Sequence, residues 1–353
     1  MFNCLGGKPL SEFMRRTLIV ITSVCLGVFA LPAAADTYPA KPITLVVPFP
    51  PGGSADALMR TLAAAASTEL GQPIVLMHRA GNGGVTGPVS VAQTAAPDGY
   101  TLSMMHNSVI RQPLLQKVNW DPLSDFTYVI GLANYSTVVT VRNEAPWKTL
   151  QELLADAKAR PGIISYGNVG ATSANRIAGE QLARFAGTQF NMVPFKGGSE
   201  ALVALMGGHL DVYGDPGVGP TALSGKIRVL ASLTDSRLGR FPKVPTAREL
   251  GYNLSVYSPI GIVGPKGMNP VVVAKLHAAF KKASMDAAYN KVLDDYDLTP
   301  LPMTHEEYHK YAVEQFARED AVAATRFQAG VSDLAMWLRL RNFKSLGPEL
   351  EDG

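Results

Sequence analysis

Three short turns carry the residues best suited to chemistry. They are Pro51-Gly52-Gly53-Ser54, Gly170-Ala171-Thr172-Ser173 and Lys196-Gly197-Gly198-Ser199. Each lies between a β-type run and a helix-type run and is read as placing unpaired backbone N–H groups and a hydroxyl at a helix start. A helix start leaves its first N–H groups without partners and carries the positive end of the macrodipole, so it attracts anions. Gly and Ser at one helix start are also ordinary capping chemistry. Three such turns in one chain point to a site.

Other chemistry is poorly served. His305-Glu306-Glu307-Tyr308-His309 has the H-E-x-x-H spacing of zinc peptidases. Thr304 and Glu307, however, read as a capping box, which puts both histidines in the first turns of an amphipathic helix. Tyr308, Tyr311, Ala312 and Phe316 supply that helix's apolar contacts, and His305 is expected in solvent. No G-x-S-x-G elbow, Walker loop or Rossmann fingerprint occurs. His78, His106, His209 and His277 are scattered and read as surface or turn residues.

The elements that must position the turns alternate. Ile43–Val47 and Ile74–Met77 read as buried strands, and Tyr100–Met105 as a third after the Pro97-Asp98-Gly99 turn. Ser54 is expected to cap a helix from Ala55 to Leu70, with Leu58, Leu62, Ala66 and Leu70 on its inner face and Gly71 ending it. Phe126 to Val141 reads as two strands crossing the molecule. Thr149 should cap a helix over 150–159, stopped by Pro161-Gly162. A strand Ile163–Tyr166 and a helix ending at Gly187 follow, with Ala178, Leu182 and Phe185 on one side. Next come a strand over 190–195 and a helix whose inner face holds Leu202, Leu205 and Met206. Ile227–Leu233 and Ile260–Val263 are later strands. From Pro270 the pattern is helical, with a strand near Leu298–Leu301. This alternation predicts a mostly parallel α/β architecture.

Composition narrows the classes. At 353 residues the chain suits two domains. Its net charge of +3, without a Lys/Arg run, leaves no nucleic-acid footprint. Arg15-Arg16, the apolar run 17–31 and Ala33-Ala34-Ala35 form a secretory signal peptide, with cleavage expected after Ala35. The run is short for a membrane span. Cleavage removes Lys8, Arg15, Arg16 and Glu12, leaving a net charge of +1. Both cysteines, Cys4 and Cys25, go with it. The exported protein is then expected to hold together by packing, without disulfides.

Seven stretches, in order, resemble the extracytoplasmic substrate-binding proteins of tripartite tricarboxylate transporters, the Bug family. They are Tyr38-Pro-Ala-Lys-Pro-Ile43, Pro48-Phe-Pro-Pro-Gly-Gly-Ser-Ala-Asp56, Gly81-Asn-Gly-Gly84, Pro97-Asp-Gly-Tyr-Thr-Leu102, Trp120-Asp-Pro-Leu-Ser-Asp-Phe126, Gly207-Gly-His-Leu-Asp211 with Asp215, and Val244-Pro-Thr246 with Glu249 and Gly251. The resemblance implies a two-domain periplasmic-binding-protein-like (type II) α/β fold, with domains joined by two crossing strands and a ligand cleft between them. Domain 1 would be 36–138 plus 260–353, and domain 2 would be 139–259.

The implied ligand is a small carboxylate-bearing anion. The implied site is Phe49, Pro51, Gly52, Gly53, Ser54 and Asp56 on one side, with Ala171, Thr172, Ser173, Asn175, Phe195, Lys196, Gly197, Gly198 and Asp215 on the other. Three positions depart from the family's usual residues: Asn175 for His, Phe195 for Tyr and Gly214 for Phe. The implied protein is a periplasmic monomer without cofactor or metal that meets membrane transporter subunits transiently. Alternatives are a secreted zinc hydrolase using His305, Glu306 and His309, and a receptor feeding a sensor kinase. The segment after Gly330 has no functional reading.

Overall fold

The structure is a computed structural model that describes residues 38–215 and 217–328. The signal-peptide reading and the segment after Gly330 lie outside the described residues.

The chain runs β1 (Ile43–Val47), α1 (Ser54–Leu70), β2 (Ile74–His78), α2 (Thr86–Thr94), β3 (Thr101–His106), α3 (Asn107–Leu115) and β4 (Phe126–Asn134). It continues through β5 (Val138–Arg142), α4 (Leu150–Ala159), β6 (Ser165–Asn168), α5 (Ala174–Ala186), β7 (Asn191–Pro194), α6 (Gly198–Met206) and β8 (Val212–Tyr213). Next come α7 (Gly219–Leu223), β9 (Ile227–Ser232), β10 (Pro259–Pro265), α8 (Pro270–Ala283), α9 (Ala287–Asp295), β11 (Thr299–Met303) and α10 (His305–Gln328).

Two sheets result. One has six strands in the order β11-β4-β10-β3-β1-β2; the other has five, in the order β7-β6-β8-β5-β9. The chain passes from the first to the second between β4 and β5, and returns between β9 and β10. The two passages touch: the Tyr135 N–H donates to the Ser258 carbonyl at 3.1 Å.

This routing corrects the expectation of a mostly parallel architecture. β1 pairs in parallel with β2 and β3, and β6 with β7 and β8. The strands that leave and return run antiparallel, β10 with β3 and β4, and β5 with β8 and β9. A chain that exits a sheet and re-enters beside its exit must reverse direction, so both sheets are mixed. Local patterns resolve a βαβ unit and are blind to this.

The helices follow their patterns closely. Leu58, Leu62, Ala66 and Leu70 are buried along α1, which ends at Gly71 in the left-handed conformation. Thr149 caps α4 by accepting from the Glu152 N–H at 3.2 Å. Gly187 ends α5, again left-handed. Thr304 and Glu307 exchange the two bonds of a capping box, at 2.8 and 3.2 Å.

Some expectations need correction. Ser54 is not a cap: Gly53 caps α1 without a side-chain bond. The strand expected at Ile163–Tyr166 lies at Ser165–Asn168, and Ile163 is exposed. Phe185 and Met206 face outward, because α5 and α6 present narrower inner faces than their apolar residues suggest. Helices α2 and α3 lie where the patterning signals none; Pro88 and Pro113 interrupt both stretches.

Each sheet has its own packing. Val139, Leu153, Tyr166, Leu182 and Leu230 belong to a core on the five-stranded side. Met105, Tyr128, Val263, Tyr308 and Ala312 form one under α10 on the six-stranded side.

Candidate functional site

A cavity of about 210 Å³ lies where the turns of the two sheets face each other. Four helices begin at its wall. Gly53 precedes α1 in an extended conformation with no side-chain bond, and Gly197 does the same for α6. Ser173 caps α5, accepting from the Arg176 N–H at 3.3 Å. His106 caps α3 through Nδ1, which accepts from the Ser108 N–H at 3.4 Å. Ser54, Ser108, Asn175, Gly198 and Ser199 line the cavity at or beside these starts. The positive ends of four helices thus converge, and the starts of α1 and α6 have no side-chain cap.

Glycines let the two sides approach closely around the cavity. A Cβ on Gly197 would lie 2.9 Å from Pro50 Cδ. One on Gly170 would lie 2.8 Å from Gly83 Cα, and Gly170 has φ +133°. Three polar atoms on residues of the wall are buried without a partner: Ser108 Oγ, Thr137 Oγ1 and Asn175 Nδ2. Burying such groups unpaired costs about 1–3 kcal/mol each.

The expected site residues divide. Phe49, Gly52, Gly53, Ser54, Ser173, Asn175, Gly197, Gly198 and Asp215 line the cavity. Pro51, Asp56, Ala171, Thr172, Phe195 and Lys196 do not. Asp56 turns away: its carboxylate accepts from the Gly52 N–H at 3.0 Å and pairs with Arg60 and His78 at 2.7 and 3.1 Å. It braces the turn. Thr172 is buried, and its carbonyl accepts from Arg111 Nη1 at 2.5 Å. Phe195 packs with Leu210 and Tyr213. Pro51, Ala171 and Lys196 are exposed; the Lys196 N–H donates to Glu200 at 3.0 Å. Gly53 has φ −96°, whereas Gly52 holds the left-handed φ of +88°.

Sequence reasoning missed His106, Ser108, Tyr135, Thr137, Tyr213 and Tyr296 in the wall. His106 is a buried cap and not a surface residue. Its Nε2 bonds the Gly84 carbonyl at 3.3 Å and its ring sits 5.1 Å from that of Phe49. Burial, with Arg111 nearby, pushes its pKa down to about 4 against the Gly84 bond, so the imidazole is neutral at pH 7. Burial pushes Asp215 up to about 7, opposed by the Tyr213 hydroxyl, which donates to it at 2.6 Å. A signal for Tyr135 and Thr137 existed: both fall at the first crossing, where a two-lobed fold puts its cleft.

The space of the absent aromatic ring at Gly214 is filled from behind. A Cβ there would collide with the Tyr166 hydroxyl, which is buried without a partner.

The H-E-x-x-H residues serve their helix start. His305 pairs with its neighbour Glu306 at 2.9 Å. His309 Nε2 lies 3.1 Å from the Leu123 carbonyl, with its ring 5.2 Å from that of Tyr128. Among the described residues, no three His, Cys, Asp or Glu side chains gather as a metal site. Among them too, no helix is long and apolar enough to cross a membrane.

The chain matches the family described as "Tripartite tricarboxylate transporter family receptor" over residues 58–326. It is 42% identical over 314 residues to a UPF0065 protein in the gbd 5' region of Cupriavidus necator, covering 88% of this chain and 96% of that protein. It is 34% identical to protein BugT of Bordetella pertussis, covering 86% and 95%. MatC from Rhodopseudomonas palustris, solved with bound malate, is 30% identical with a TM-score of 0.76, covering 81% of this chain and all of that one. An R. palustris protein solved with adipate is 26% identical, also with a TM-score of 0.76, covering 82% and 98%. Fold, motif order and full-length similarity agree, and this chain belongs to the tripartite tricarboxylate transporter receptor family, whose members are periplasmic solute-binding proteins.

Proposed function

We propose that this protein captures a small organic carboxylate in the cavity between its two sheets and delivers it to membrane transporter subunits. It is a receptor and not an enzyme, and it works as a monomer. The reading divides it at the two crossings into 36–138 plus 260–353 and 139–259. The observation that carries it is the convergence of four helix starts on one cavity whose wall contains no Lys or Arg side chain. Backbone N–H groups and hydroxyls then supply the anion's donors, and bonds to a charged acceptor are the stronger kind. Malate and adipate in related proteins support the ligand class.

Of the fifteen expected residues, Gly53, Ser54, Ser173, Asn175, Gly197 and Gly198 are assigned to the ligand, with Ser108 and Thr137 added. A thermal-shift screen of mono-, di- and tricarboxylates tests this. A ligand held at 100 times its Kd stabilises the folded state by about 2.7 kcal/mol, which raises Tm by several degrees. No shift with any carboxylate rejects the reading.

The export reading predicts a periplasmic protein beginning Asp36-Thr37-Tyr38. N-terminal sequencing checks it, and retained Arg15-Arg16 contradicts it.

A further inference from the structure

A second cavity, of about 580 Å³, lies between α2 and the chain that follows α3. It shares no lining residue with the first. Its size is within the range of about 300–1,000 Å³ usual for small-molecule sites. Five of its lining residues carry carboxamides: Asn82, Gln93, Gln112, Gln116 and Asn119. Thr86 and Ser90 add hydroxyls. Among the described residues no Asp, Glu or Arg lines it, and Lys117 is its one charged side chain. Val85, Val89 and Trp120 line it from the core side, where they pack with the residues under α10.

Two of the amides stand out. Gln93 Nε2 donates to Asn119 Oδ1 at 3.2 Å, which ties α2 to the loop after α3 and orients the donor and acceptor atoms left over. Gln112 is 2% exposed, yet its carboxamide makes no hydrogen bond among the described residues. An amide buried without a partner costs about 1–3 kcal/mol, and a ligand that bonds it recovers that cost. Asn82 and Trp120 belong to two of the seven ordered stretches, and neither stretch contributes to the wall of the first cavity.

The wall's chemistry selects among ligand classes. An anion would find a single cation, and a cation would find no carboxylate. An apolar ligand would leave the amides unpaired. A carboxamide presents a donor and an acceptor side by side, and so do neighbouring hydroxyls on a sugar ring. An indole offers a flat apolar face to the C–H groups of such a ring. We propose that this cavity binds a neutral saccharide, at a site separate from the carboxylate cavity.

Calorimetry on the mature protein tests it with three neutral disaccharides: maltose, cellobiose and N,N′-diacetylchitobiose. At least one should bind with a Kd of about 1 mM or tighter. Its affinity should fall at least about fivefold in Gln112→Met, which keeps the length of the side chain and removes the amide. Gln116→Ala should weaken it by a similar factor. Gln116 is exposed, so this variant carries the test should Gln112→Met fail to fold, and circular dichroism checks both. Backbone amide NMR shifts on adding the disaccharide should centre on Gln93, Gln112 and Gln116. No binding by any of the three at ten times that concentration overturns the proposal. Unchanged affinity in the folded variants overturns it too. Shifts confined to Gly53, Ser173 and Gly197 would put the sugar in the first cavity, and they also overturn it.

Discussion

At the scale of single residues, the first turn shows how two adjacent glycines do different work. Gly52 holds φ +88°, a conformation that costs an L-residue about 1–2 kcal/mol. Gly53 holds φ −96°, which any residue adopts, and a Cβ there would meet nothing within 4 Å. Gly52→Ala should therefore lower unfolding free energy by about 1–2 kcal/mol. Gly53→Ala should leave it within about 0.5 kcal/mol. Urea unfolding of the two variants separates them, and equal losses would refute this division. The sequence suggests that a glycine here meets the ligand but cannot say which of the pair bends the chain, because φ is set by how Asp56 reaches back to the Gly52 N–H.

At the scale of elements, helix starts decide the site, and their legibility depends on the cap. Ser173 and Thr149 act as their side-chain chemistry predicts, because a short hydroxyl reaches the N–H three residues on. His106 escaped notice because histidine is a rare cap and α3 contains Pro113. Its Nδ1 accepts from Ser108 only when unprotonated. The buried ring has its pKa lowered from 6.5 to about 4, chiefly by burial. Between those values the unfolded chain binds the proton and the folded one resists it. Stability held above pH 6.5 is therefore lost as pH falls through 4, by at most about 3 kcal/mol. His106→Asn keeps a cap acceptor without the titration. The stability difference between wild type and this variant should move in the variant's favour by that amount from pH 7 to pH 4. Urea titrations at both pH values check it, and a difference independent of pH would contradict it. Strands and helices were otherwise well marked locally. The mixed direction of the sheets was not, since it comes from a chain that leaves and returns on neighbouring strands, β4 and β10.

At the scale of the whole molecule, the two sheets form a cavity because the chain crosses between them twice, at Tyr135–Thr137 and before β10. The crossings place residues far apart in sequence, such as Ser54, Asn175 and Asp215, on one wall. The ordered family motifs made this architecture legible in the sequence. The inner wall was less so: Ser108, Tyr296 and Thr221 come from stretches whose local patterns serve other ends. The central claim is that a carboxylate sits among the helix starts, against the backbone at Gly53. Calorimetric titration of wild type and Gly53→Val, with the carboxylate that raises Tm most, tests this directly. The valine fits the backbone but fills the space where the anion approaches. The account predicts one ligand per chain in the wild type, and at least about tenfold weaker binding in a Gly53→Val protein of unchanged circular dichroism. Equal affinity in the two proteins would contradict it.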